Sequence, residues 1–384
     1  GALDLTWERM ARELVGNYDV VAIQNEFDTA PALAMFVGYC RELAPASHIL
    51  TFGRASQQLP ACFHRYDLDA IVVSGDCAAG VAQYVEWRLG RRSTADVQGV
   101  SLRVDGVFGE AGPGLFLPVE DLEFPDTAEI PWDSYNAVYA DPALRFSGLA
   151  RRRELPVPIS RGCPMGCGYC LVQRHQGHRE RRHSVEAVMD HIDRARRHYA
   201  FDYVSTYSPT FTLKRKWVLA FCEAVARHPA GFEWKTCTTL HHLDEELVTA
   251  MAASRCVRIS VGLESLDPQT HAFLPAPKRI EEEQLRRVAA WCRARNIELN
   301  CLVMLGMPGQ TPEGLQYTFD VVRDVGAKIR PMIYTDFDAL RSDMTEFQLA
   351  AHSRQLAADG VHEGMDRQWL YRLRFGDPSR EKAR

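Results

Sequence analysis

From about residue 155 to about residue 340 the chain repeats one pattern, a short apolar run followed by a helical stretch. The runs are "VPISRG", "FDYVST", "FEWKTCT", "CVRISVGLE", "IELNCLVMLG" and "AKIRPMIYT". Between them lie segments such as "SVEAVMDHIDRARRHY", "KRKWVLAFCEAVARH" and "RIEEEQLRRVAAWCRARN". Strands separated by helices pair in parallel, because the crossover needs the length of a helix. Six steps over about 180 residues predict a partial (β/α)6 TIM-type barrel, since a closed barrel takes eight. In such barrels the loops after the strands converge at one end, and chemistry sits there.

Residues 4–90 alternate as well. "YDVVAIQ", "SHILTF" and "AIVVS" read as buried strands, with helices such as "APALAMFVGYCREL" between them. This predicts an α/β domain over residues 1–130 with a doubly wound, Rossmann- or flavodoxin-like sheet. Asp105-Gly106 between two alternating runs signals a hairpin. The proline- and acid-rich stretch that follows reads as an extended connector reaching about residue 150, before the barrel domain at 151–340. Residues 341–384 read as a helical C-terminal segment.

The totals exclude several classes of function. A formal net charge of −5 and a pI near 6.3 give no basic face for nucleic acid. No apolar run approaches the roughly 18 residues of a membrane helix. Eleven cysteines, an odd number without regular spacing, do not form a disulfide framework and suit a reducing cytoplasm. The chain opens on an amphipathic helix pattern, not a targeting segment. The arginine clusters at 151–153 and 178–183 read as solvated loops, the second with some claim on an anion.

Three of the cysteines stand together in "SRGCPMGCGYC", residues 160–170, just after the first barrel strand. Cys163, Cys167 and Cys170 are spaced C-x-x-x-C-x-x-C. Gly162, Gly166 and Gly168 let the backbone wrap a bulky group. A zinc site needs a fourth ligand, for which His175 and His178 are within reach. The other reading is a 4Fe–4S cluster with three protein ligands, leaving one iron free to chelate a small molecule.

This motif, with Tyr169 before its last cysteine and a six-step barrel around it, resembles the radical S-adenosylmethionine (radical SAM) family. The resemblance implies a cluster whose open iron binds the amino and carboxylate groups of SAM, and a 5′-deoxyadenosyl radical that removes hydrogen from the substrate. It also implies SAM-contacting roles for Glu264 in "ISVGLES", at the ribose hydroxyls, and for Gly306, Met307 and Gly309 in "LVMLGMPGQT", at adenine. The plainer reading of Glu264 is a helix-start carboxylate with Ser265, and that of the glycines a tight strand exit. "VSTYSPTF" is similar to a segment that carries two acids in the cobalamin-associated branch; here Tyr207 and Ser208 replace them, and Tyr207 becomes the candidate proton relay. Asp336 and Asp338 in "IYTDFDAL" face one side if the chain stays extended, and would bind substrate amines; otherwise one caps a helix and the other is solvated.

Residues 1–130 look like the cobalamin-binding domain of that branch. Two departures count against the cofactor: no axial histidine is visible, and Gly53-Arg54 stands where two glycines are usual. The expectation is therefore a radical SAM enzyme that uses the domain as a scaffold. The favoured reaction is radical dehydration of a natural-product amino sugar, as in the diol-dehydratases of apramycin-type aminoglycoside biosynthesis. The partners implied are an electron donor such as flavodoxin or ferredoxin and a downstream reductase. The alternatives are a cobalamin-dependent radical methyltransferase and a zinc-stabilised binding module.

Overall fold

The computed structural model describes residues 7–15, 18–27, 29–140 and 153–350. The chain divides into two compact units. The first takes in the chain up to Pro118, then Tyr169–His178, then the segment from Thr335; the second takes in Val119–Gly168 and Arg179–Tyr334.

In the first unit, α1 (Trp7–Leu14), β1 (Val20–Gln24), α2 (Ala30–Leu43), β2 (His48–Phe52), α3 (Arg54–Gln58), β3 (Ala70–Val72), α4 (Cys77–Arg88), β4 (Val100–Val104) and β5 (Val107–Phe108) follow in order. The sheet order is β1-β2-β3-β4-β5. The first three strands are parallel, and β4 and β5 are antiparallel additions. Helices cover both faces of the parallel strands, α2 packing on Ile49 and Ile71 and α4 packing through Tyr84 on Ala70 and Val72, and β4 then turns back beside β3. The hairpin at Asp105-Gly106 forms, with φ values of 50° and 82° that suit an Asp-Gly turn. Helix α2 buries Ala30, Leu33, Val37 and Cys40, a stripe at helical spacing. They pack with Ile49 and Ile71 of the sheet, and Leu171, Leu340 and Leu349 join the same core.

The second unit holds α5 (Trp132–Ala140), β6 (Glu154–Pro158), β7 (Ser160–Arg161), β8 (Arg181–Arg182), α7 (Val185–Arg196), β9 (Tyr203–Tyr207), α8 (Arg215–Arg227), β10 (Glu233–Thr238), α9 (Glu245–Ala253), β11 (Cys256–Glu264), α10 (Glu282–Ala294), β12 (Glu298–Leu305), α11 (Pro312–Asp324) and β13 (Lys328–Ile333). Helix α6 (Val172–Gln176) lies in the loop between β7 and β8 and belongs to the first unit. The main sheet has six strands in the order β13-β12-β11-β10-β9-β6, every neighbour parallel. One face is apolar: Val157, Val204, Trp234, Val261 and Cys301 pack on Ile192, Phe221, Met251, Val288 and Phe319 of the helices. Each such side chain contributes about 1.5–3 kcal/mol by leaving water. The alternate positions are polar. Lys235 pairs with Glu154 at 3.0 Å, Arg258 pairs with Glu298, and Asn300 donates to Ser260 at 3.1 Å.

The expected connector is not a free spacer. Phe124 stacks on His183 and on His191, at centroid distances of 4.2 and 4.3 Å. Trp132 stacks on Tyr199 at 3.9 Å and opens helix α5, which the extended reading did not include. Residues 346–350 are helical, and the rest of the expected C-terminal helical segment lies outside the described residues. Among the described residues no helix is long and apolar enough to cross a membrane.

Candidate functional site

The cysteine loop is bracketed by β7 and β8, which pair antiparallel through Ser160 with Arg182 and Arg161 with Arg181. A buried ion pair fixes this bracket. Arg182 Nε donates to Glu180 Oε1 at 3.0 Å, and the two side chains are 1% and 4% exposed. Arg182 also donates to the Thr210 carbonyl at 3.1 Å and lies over the Trp217 ring. Ser160 donates to Glu180 at 3.2 Å and shares a hydrogen bond with Ser208 at 2.7 Å. The cluster at 178–183 is therefore not simply solvated: its central arginine and glutamate anchor the loop to the end of β9.

Gly162 and Gly166 take φ values of 83° and 69°, turns that a side chain would strain. Cys163 is buried, its Sγ 3.7 Å from Thr210 Oγ1, and Cys167 is half-buried. Tyr169 and Cys170 open the stretch that belongs to the first unit and are half-buried there. No described cysteine is in a disulfide. Among the described residues no three His, Cys, Asp or Glu side chains are gathered as a cage for one ion.

Glu264 ends β11 in the left-handed region, φ 63°, after a bulge that shifts the register with β12. Its carboxylate does not start a helix with Ser265. It accepts from Lys278 Nζ at 3.0 Å, and Lys278 also donates to the Gly262 carbonyl at 3.2 Å. Both side chains are buried, 8% and 12% exposed. Gly262 makes the room, because a Cβ there would lie 2.2 Å from Lys278 Nζ. Burial pulls the Lys278 pKa down, but Glu264, with smaller contributions from Cys167 and Cys237, leaves it raised. Lys278 is thus a fixed cation within electrostatic reach of a cysteine of the loop. Nothing in "LPAPKR" marks it in the sequence.

After β12 the chain turns through Gly306 and Gly309, at φ 83° and 75°. Gln310, which sequence reasoning missed, closes this turn. Its Oε1 accepts from Gly306 N at 2.6 Å and its Nε2 donates to the Met304 carbonyl at 2.9 Å. Met307 is fully buried, and a Cβ on Gly309 would lie 3.2 Å from the Gln269 carbonyl. Tyr207 ends β9 and is 59% exposed. Asp336 and Asp338 are not on an extended run. Asp336 caps a 3-10 turn by accepting from Asp338 N at 3.0 Å, and Asp338 is exposed and pairs with Arg174 at 3.3 Å.

In the first unit, the carboxyl edge of the parallel strands is the place where such sheets take ligands. Gly53 follows β2 at φ 121°, with Asn25 O 2.4 Å from where a Cβ would stand. Arg54 is drawn to Glu26 in an ion pair. Gln57 donates from Nε2 to the Gly75 carbonyl at 2.8 Å and pairs through Oε1 with His175 Nδ1. The Nε2 of His175 is buried without a hydrogen-bond partner.

The second unit thus sets a six-stranded parallel sheet beside a cysteine loop after its first strand and a glycine turn after β12. Residues 157–322 match the Radical SAM superfamily. An uncharacterised methyltransferase of Pyrococcus horikoshii is 25% identical over 250 residues, 64% of this chain and 51% of the relative. Cytidylyl-2-hydroxyethylphosphonate methyltransferase of Streptomyces wedmorensis is 27% identical over 241 residues, 59% of this chain and 43% of the relative. The chain thus spans about half the length of the relatives it matches. The structure of the radical SAM methyltransferase TsrM from Kitasatospora setae, with cobalamin and a [4Fe–4S] cluster bound, superposes with a TM-score of 0.70 at 16% identity. That match covers 94% of this chain and 78% of TsrM, and shows a shared fold.

A radical SAM match implies a 4Fe–4S cluster and SAM. Three cysteines in one glycine-rich loop suit iron ligation, and the Lys278 cation lies within electrostatic reach of Cys167. Glu264 offers a buried, oriented carboxylate.

Proposed function

We propose that this chain is a cobalamin-dependent radical SAM methyltransferase acting on a small-molecule substrate. The observation that carries the reading is that the curated relatives it matches are named methyltransferases. It is preferred to the expectation of a dehydratase, which drew on a degenerate cobalamin site and on Asp336 and Asp338 as amine binders; the two acids are engaged in a cap and an exposed ion pair. When bound, the cluster with SAM supplies a hydrogen-abstracting radical, and cobalamin supplies the methyl group.

In this reading Cys163, Cys167 and Cys170 hold three irons and leave the fourth to SAM. Glu264, held by Lys278, takes the ribose hydroxyls. Gly306, Met307 and Gly309 present backbone to adenine, on a turn kept in shape by Gln310. Tyr169 flanks the last cysteine. An electron donor such as flavodoxin or ferredoxin supplies the reducing equivalent.

A second reading is radical dehydration of an aminoglycoside-type amino sugar, with a downstream reductase. One observation favours it: Tyr207 replaces an acid at the end of β9 and exposes its phenol there, where it can pass a proton to a departing hydroxyl. Anaerobic incubation with trideuteromethyl-SAM and dithionite separates the two. Methyl transfer yields S-adenosylhomocysteine beside 5′-deoxyadenosine, whereas dehydration yields no S-adenosylhomocysteine. Cys167→Ala abolishes both products and lowers bound iron if this loop holds the cluster.

A further inference from the structure

The hydroxyls between the cysteine loop and β9 can be assigned their hydrogens. Glu180 is ion-paired with Arg182, so its carboxylate only accepts. Ser160 Oγ donates its single hydrogen to Glu180 Oε1 at 3.2 Å. Ser160 Oγ and Ser208 Oγ lie 2.7 Å apart, and taken alone either could be the donor. With the Ser160 hydrogen committed, Ser208 donates and Ser160 accepts. The hydrogen bonds therefore run one way, from Ser208 through Ser160 to Glu180.

This order leaves Ser208 with no hydrogen to give and with oxygen lone pairs to spare. Donating into a chain also makes its oxygen a better acceptor. The direction cannot reverse at the far end, because Arg182 Nε donates to Glu180 at 3.0 Å and Lys214 Nζ stands 3.8 Å away. Glu180 and Ser160 are closed off from water, with the Glu180 side chain 4% exposed, whereas Ser208 is half-buried. The end of the chain that a ligand can reach is Ser208.

That end lies beside the cysteine loop. Ser208 follows β9 directly, and Ser160 begins β7, from which the loop departs. Thr210, next to Ser208 but one, has its Oγ1 3.7 Å from Cys163 Sγ. A small molecule held at a metal on Cys163 thus meets an acceptor here, and an N–H or O–H is what suits it. In the reading above, the ribose hydroxyls of SAM go to Glu264 and its adenine to the turn at Gly306–Gly309, which leaves the amino group. We propose that Glu180 is a positioning residue for SAM: through Ser160 it fixes the Ser208 hydroxyl as an acceptor for the amino N–H. This rests on the cysteine loop being the cluster site, which both reactions considered above require.

The test is calorimetric titration with SAM of the full chain, reconstituted with its cluster under anaerobic conditions, with iron counted in each sample. Ser208→Ala removes the acceptor and weakens SAM binding by about 3–10-fold at unchanged iron content. Ser208→Thr keeps the hydroxyl and restores the affinity. Ser160→Ala frees the Ser208 hydrogen to turn toward the ligand, and weakens binding by a similar factor. Hydroxyls that only brace the loop would give a different result, with iron lost and the SAM affinity of the remaining clusters unchanged; that overturns the proposal. So does Ser208→Ala with full iron and unaltered affinity, and in both cases the methyltransferase reading, which is tested by its products, stands. Wild-type protein that holds its iron and fails to bind SAM overturns that reading and this assignment together.

Discussion

Replacing Lys278 with Met removes the cation that faces Glu264 across 3.0 Å, in a setting where the two side chains are 12% and 8% exposed. With an effective dielectric of about 20, the attraction at that distance is about 5 kcal/mol. Part of this is offset by the desolvation of both charges. Removing one partner of a buried pair costs about 3–5 kcal/mol, because the other is left uncompensated. Lys278→Met should therefore lower the unfolding free energy of the protein by about 3 kcal/mol. Glu264 then loses the contact that holds its carboxylate, and SAM binding weakens with it. The Glu264→Gln, Lys278→Met double variant buries no charge at this point, and should be more stable than Lys278→Met alone by at least about 1 kcal/mol. The Lys278 pKa is raised above its ordinary 10.5. Its contribution is thus fully present below that value and is lost only in strong alkali, so the effect is constant across the neutral range. Urea denaturation and calorimetric titration with SAM measure both quantities. A Lys278→Met protein within about 1 kcal/mol of wild type and with unaltered SAM affinity would refute the reasoning, as would strict additivity in the double variant.

Gly53→Ala places a Cβ 2.4 Å from the Asn25 carbonyl oxygen at φ 121°, and should cost about 2–3 kcal/mol, read as a lower urea midpoint. Glu180→Gln leaves Arg182, whose side chain is 1% exposed, without its counter-charge. A loss of about 3 kcal/mol is expected, with less iron retained because the bracket of the cysteine loop loosens. His175 and His191 are each lowered to about 4, by burial above all, from an ordinary 6.5. Both are neutral in the folded protein, so the unfolded chain takes up protons first. Stability is full above 6.5 and falls as pH drops toward 4; urea midpoints measured against pH should show this, with a shallower fall in His191→Phe, which keeps the stack on Phe124.

The six-strand order was legible because each strand needs one apolar face for the helices, and that requirement writes runs such as "CVRISVGLE" into the chain. The Asp105-Gly106 hairpin was legible because both turn positions need positive φ. The cysteine loop was legible from spacing alone. Other features depend on contacts between distant positions. Lys278 meets Glu264 only because a bulge turns the end of β11 and Gly262 clears a path. Gln310 and the Glu180–Arg182 pair look like ordinary surface polars in the sequence, and burial alone gives them their roles. Asp336 and Asp338 were read as facing one side on the premise of an extended chain, and a local cap proved stronger. The antiparallel return of β4 beside β3 was not read, although the hairpin signal that follows it was. His175 was weighed only as a zinc ligand, because its partner Gln57 lies 118 positions away.

The most direct measurement is the product ratio from anaerobic turnover with trideuteromethyl-SAM, carried out with cobalamin-loaded protein and a small-molecule substrate. Methyl transfer predicts S-adenosylhomocysteine and 5′-deoxyadenosine in comparable amounts, and a substrate heavier by a labelled methyl group. Deoxyadenosine alone, with a substrate lighter by the elements of water, would contradict the account.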